Sequence, residues 1–97
     1  MIFILTEQDI NMVLPRQALY FYANRDPFHK TCLLLANNIE KKDRFPFCAI
    51  DTDFFSSQCR RFNVTSVPTI LILQDGCEIK RLTGLTEISK LTDGDTK

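Results

Sequence analysis

The sequence predicts an α/β fold in the order βαβαβαββα, with a mixed central sheet flanked by helices. Three observations carry this expectation. The runs Ala18 to Ala23 and Val67 to Leu73 are short and nearly continuously apolar, as strands buried on both faces are. Between them, Phe28, Cys32, Leu35, Ala36 and Ile39 recur at the spacing of one helix face. The triplet Gln74-Asp75-Gly76 is a hairpin turn signal. Alternation in the first half implies parallel strands joined by crossover helices, and the closing hairpin adds an antiparallel edge.

Each element follows from local chemistry. Met1 to Leu5 predicts a strand, and Thr6 a cap for a helix over Glu7 to Leu14, which Pro15 stops. Ala18 to Ala23 is the next strand. The helix that follows ends near Lys41, Lys42 and Arg44, cations suited to the negative pole of the helix dipole. Phe45 to Asp51 returns as a strand. Thr52 or Asp53 can cap a helix with Phe55, Cys59 and Phe62 on one face. After the strand Val67 to Leu73 and the turn, Cys77 to Leu82 is the hairpin partner. Gly84 breaks it, and Glu87 to Leu91 is a last short helix. The domain is expected to span residues 1–91, with 92–97 (T-D-G-D-T-K) as a disordered tail.

Bulk properties narrow the function. A chain of 97 residues with 44% hydrophobic content and eight Phe suits one small core. Twelve basic and twelve acidic residues cancel, so steering toward nucleic acid or an anionic membrane is not expected. Lys41-Lys42 and Arg60-Arg61 read as solvated helix faces. The apolar start M-I-F-I-L is shorter than a signal peptide requires, and no run approaches the ~20 residues of a membrane span. The expectation is a soluble cytoplasmic protein. Cys32, Cys48, Cys59 and Cys77 form no C-x-x-C, and without a secretory signal free thiols are expected. Spacing does not decide whether Cys32 and Cys59 form a disulfide. Zinc spacing is absent and there is one histidine, so no metal is expected. Three glycines and no G-x-G-x-x-G or G-K-[ST] pattern point to no nucleotide or flavin cofactor.

The order of elements, with A-L-Y-F-Y-A, A-I-D-T-D, F-N-V-T-S-V-P-T-I, D-G-C-E and Gly84 in sequence, resembles the thioredoxin family over roughly Met1 to Leu91. Thioredoxins act through W-C-G-P-C-K at the turn after the central strand. Laid on this chain from Ala23 without gaps, that motif puts Arg25 at the tryptophan and Asp26 at the first cysteine. Pro27-Phe28 takes the Gly-Pro pair, His29 the second cysteine, and Lys30 matches. The buried acid of many thioredoxins falls at Tyr20. The resemblance also implies that Pro68 follows a cis peptide bond. It further implies that the backbone of Val67 pairs with an extended substrate chain, with Arg25, Phe28 and Phe54 near by.

Dithiol exchange needs one thiolate to attack and a second thiol to resolve the mixed disulfide. A carboxylate and an imidazole cannot form that bond. Asp26-Pro27 reads instead as a helix start, with Asp26 as N-cap and Pro27 at the first helical position. An Asp26/His29 acid–base pair has the right residue types but no nucleophile fixed beside it. In H-K-T-C, Cys32 would take the second cysteine position if the turn were three residues longer. That register needs an insertion before it and a larger deletion after it.

The resulting expectation is a redox-inactive thioredoxin-like domain, not an enzyme. It would bind a protein or extended peptide through Val67, Pro68 and the degenerate turn Arg25, Asp26, Pro27, Phe28 and His29. The alternative is a thiol–disulfide oxidoreductase or thiol sensor working through Cys32.

Overall fold

Residues 2–3 and 15–94 are described by a computed structural model. Its elements are β1 (Ile2–Phe3), β2 (Arg16–Tyr22), α1 (His29–Asp43), β3 (Phe47–Asp51), α2 (Ser56–Arg61), β4 (Thr69–Gln74), β5 (Cys77–Thr83) and α3 (Leu85–Gly94). The helix expected over Glu7 to Leu14, and its cap Thr6, lie outside the described residues. So do residues 95–97 of the expected tail. Residues 92–94 do not belong to a tail, because α3 runs to Gly94.

The strands form one mixed sheet in the order β1-β3-β2-β4-β5. β1, β3 and β2 run parallel, while β4 pairs antiparallel with β2 and β5 with β4. β2 is central, and Ala18, Leu19, Tyr20 and Phe21 are at most 1% exposed. Side chains alternate along a strand, so β2 feeds two cores. Ala18 and Tyr20 pack with Cys32, Ala36 and Ile39 of α1 and Ile88 of α3. Leu19 and Phe21 pack on the other face with Leu71, Val64, Phe55, Cys59 and Phe62. Burying each large aliphatic or aromatic side chain contributes about 1.5–3 kcal/mol, so these two layers hold the sheet together.

The two-residue hairpin loop is Asp75-Gly76, with φ of 51° and 84°. Both values are positive, as a type I′ turn requires, and this is what D-G signalled. β4 begins at Thr69 rather than Val67. Proline has no N–H to give to a ladder, so Pro68 stands before the strand.

Two expected caps are corrected. α1 starts at His29, with Phe28 at the N-cap position and no side-chain cap bond. Asp26 acts one step earlier: its Oδ1 accepts the Phe28 N–H at 3.0 Å, a local turn of the Asx kind. α2 is preceded by Phe55, not capped by Thr52 or Asp53. Asp51 takes the donors there. Its Oδ1 accepts the Asp53 N–H at 2.9 Å, and its carbonyl accepts those of Phe54 and Phe55. Thr52 Oγ1 instead donates to the Tyr22 carbonyl at 3.0 Å. Lys41 and Lys42 do lie in the last turn of α1, and Arg60 and Arg61 are exposed. No helix among the described residues is long and apolar enough to cross a membrane.

Candidate functional site

The carboxyl ends of β2 and β3 and the loop before β4 converge on one groove of about 180 Å³. It is lined by Ala23 and Arg25, by Thr52 and Cys59, and by residues 64–67, which form its wall leading into β4. This places two expected site residues, Arg25 and Val67, in one depression. Val67 is half-buried and precedes the first residue of β4, Thr69, by two positions. Neither its N–H nor its C=O makes a hydrogen bond to a described residue, whereas the next carbonyl, of Pro68, accepts the Gly84 N–H at 2.9 Å. The Val67–Pro68 peptide bond is cis, and Pro68 itself is buried. Pro68 therefore shapes the wall but offers little surface. Phe28 and Phe54 do not line the groove; they are 57% and 81% exposed beside it.

The backbone of the turn at the end of β2 is closed locally, and Asn24 Nδ2 ties it to β3 by donating to Asp51 Oδ2 at 3.1 Å. The Asp26 N–H donates to the Ala23 carbonyl at 3.1 Å, and the His29 N–H donates to the Asp26 carbonyl at 3.0 Å. Pro27 is exposed. Arg25 reaches Asp53 at 3.4 Å, an exposed pair that solvent screens. The half-buried ring of His29 stacks on Tyr22 with centroids 5.0 Å apart, and Tyr22 stacks on Tyr20 at 5.6 Å. Among the described residues no Ser or Cys side chain is hydrogen-bonded to Asp26 or His29 as a nucleophile would be. His29 Nδ1 and Tyr20 Oη have no hydrogen-bond partner among the described residues. Burial pushes the Tyr20 phenol well above its ordinary value, reinforced by Cys32, Asp26 and Tyr22.

Cys32 sits one turn into α1 and is 0% exposed, packed between Tyr20 and the α1 stripe. Burial pushes its thiol up, and the Asp26 carboxylate adds to this. A thiol near a helix N-terminus gains a low pKa only where it is exposed, and Cys32 is not. All four cysteines are free. Cys32 and Cys59 pack on opposite faces of the sheet, which settles against a disulfide between them. Cys59 was expected only as packing. It does pack under Phe21's face, but it also lines the groove, because α2 has six residues and its middle touches both. Burial raises the Cys59 thiol, opposed by a backbone hydrogen bond and by Arg60. Among the described residues no group of three His, Cys, Asp or Glu side chains is placed to hold a metal.

The thioredoxin family model matches residues 26–94. No curated protein sequence matches the chain. Among solved structures, a mutant thioredoxin from Halobacterium salinarum superposes with a TM-score of 0.83 at 18% identity, over 95% of this chain and 84% of that one. The oxidised thioredoxin of Plasmodium falciparum gives 0.81 at 17% identity, over 99% and 98%. A reduced Schistosoma mansoni thioredoxin gives 0.82 at 20% identity, over 98% and 94%. At these identities the structural likeness is one of fold. The family match, which runs from Asp26 through the 64–67 side of the groove and the hairpin, adds descent to it: the chain belongs to the thioredoxin family.

Proposed function

We propose that this domain is redox-inactive and serves as a protein-binding or adapter module, using the groove between the Asp26–His29 turn and Pro68. The observation that carries the reading is the absence of any accessible sulfur at the turn. Asp26 and His29 stand where the dithiol would be, and the nearest thiol on α1, Cys32, is 0% exposed. Thiol–disulfide exchange requires an accessible thiolate and a resolving partner, and neither is present there. Burial of Cys32, with its thiol pushed up, counts equally against a sensor role for it.

Binding is supported by what remains. The unpaired N–H and C=O of Val67 suit addition of an extended strand, in which main-chain bonds give affinity and side-chain pockets give specificity. A groove of about 180 Å³ is smaller than the ~300–1,000 Å³ of drug-sized ligand sites, and it suits one or two side chains of such a peptide. The partner expected is a protein or extended peptide. The test is a titration of ¹⁵N-labelled protein with extended peptides selected from a displayed random library. Amide shifts at Ala23, Arg25 and Val67 are expected. Selected binders that shift only the Asp75-Gly76 hairpin, or leave Val67 unmoved, would contradict the reading.

A further inference from the structure

The groove's wall is held by a device that the thiol chemistry of the family does not involve. The chain leaves α2 through Asn63, at φ 55°, so the carbonyls of Phe62 and Asn63 turn away from the helix. Arg81 of β5 meets both: Nη2 donates to the Phe62 carbonyl at 2.6 Å and Nη1 to that of Asn63 at 3.0 Å. Glu78 grips the same guanidinium from the other side, accepting from Nε at 2.9 Å and from Nη2 at 2.8 Å. Arg81 can reach because it pairs with Leu71 across the hairpin. Leu71 belongs to the α2-side core, and opposed residues point to the same face.

Beyond these contacts the wall has few ties. The Val64 N–H donates to the Cys59 carbonyl at 2.8 Å, and Thr69 Oγ1 donates to the Ser66 carbonyl at 2.8 Å. The wall is thus tied at Val64 and Ser66 and makes no hydrogen bond to a described residue at Thr65 or Val67. We propose that Arg81, locked by Glu78, is a positioning residue for the 64–67 wall and so sets how Val67 meets an incoming peptide. The planar fork is essential: it binds two carbonyls and a carboxylate at once, which a lysine ammonium on a flexible stem does not reproduce. This rests on the groove being the binding surface, as proposed above.

The chain's own thiols test it without a partner. Cys59 lines the groove, Cys32 and Cys48 are buried in the two opposite cores, and Cys77 is exposed. Iodoacetamide labelling at pH 8, followed peptide by peptide by mass spectrometry, reports each site separately. In Arg81→Gln, Cys59 is expected to react about tenfold faster relative to Cys77, with Cys32 and Cys48 unchanged. Arg81→Lys should fall between wild type and Arg81→Gln. If Arg81→Gln does not fold, Glu78→Gln carries the same test with an expected rise of about threefold. An unchanged Cys59 rate, or one rising in step with Cys32 and Cys48, overturns the proposal. Because labelling involves no peptide, its failure removes the clamp alone, whereas unmoved Val67 shifts in the titration remove the binding reading.

Discussion

The turn at residues 23–29 and the loop at 62–68 meet at one groove, through Arg25 and Val67, yet their backbones are held in different ways. The turn's backbone is held by its neighbours in sequence, while its side chains reach β3 and the residues after it, Asn24 Nδ2 donating to Asp51 Oδ2 at 3.1 Å and Arg25 pairing with Asp53. The local bonds run from Asp26 to Ala23, from Phe28 to the Asp26 side chain and from His29 to the Asp26 carbonyl. The loop is held from far along the chain, by Arg81 from 18 and 19 residues away and by Gly84 through the Pro68 carbonyl. Local bonds let a turn keep its shape while its chemistry changes. A loop tied to an edge strand keeps its geometry only while that strand's side chains stay. Within a fold shared with thioredoxins, the turn is thus closed by main-chain and Asp26 bonds, with no cysteine among residues 23–29.

This contrast orders the expected effects of substitution. The largest concerns the apolar anchors. Phe21 is 0% exposed and packs against Phe62, with centroids 6.1 Å apart, so Phe21→Ala should lower stability by about 3–5 kcal/mol. The turn's own aromatic contact, His29 on Tyr22, is half-buried, and His29→Ala should cost only about 0.5–1.5 kcal/mol. Urea denaturation of both variants measures the ratio; equal losses would erase the distinction between the two regions.

Next comes the local bond of the turn. Asp26→Ala removes the acceptor for the Phe28 N–H and should cost about 1 kcal/mol, with Asp26→Asn largely restoring it. A loss as large as that of Phe21→Ala would mean that the turn is tied into the core after all.

The smallest effect is a pH dependence of the loop. The hydrogen bond to Arg81 holds the Glu78 carboxyl below its ordinary value of 4.5. A depressed folded-state value makes its contribution fully present above the unfolded value and lost as pH falls through the folded one. The difference in urea midpoint between wild type and Glu78→Gln should therefore be constant near neutrality and shrink below about pH 4.5. The pair is partly exposed, so the shrinkage will be modest. A difference that grows in acid would contradict the assignment.

The same contrast explains what the sequence disclosed. The two-sided burial of β2, the D-G hairpin and the stripe holding Cys32 were all legible, because each is set by residues within a few positions of one another. The Asp26-Pro27 helix start was legible as a turn but misplaced by two residues, since Asx bonding and N-capping share one residue preference. Arg81 gave no signal. E-I-K-R on an edge strand reads as solvated charge, and only tertiary pairing brings it to Phe62 and Asn63. Cys59 was hidden for a related reason: its helical spacing announces the core contact but not the groove it also lines.

The central claim is that the turn at Asp26 to His29 lacks the pair of sulfurs that dithiol exchange needs. Insulin precipitation driven by dithiothreitol tests it in wild type beside Asp26→Cys/His29→Cys, whose positions are already joined by a backbone hydrogen bond across the turn. The wild-type chain should give no turnover above the dithiothreitol background, and the double variant should gain it. Turnover by wild type that disappears in Cys32→Ser would contradict the account.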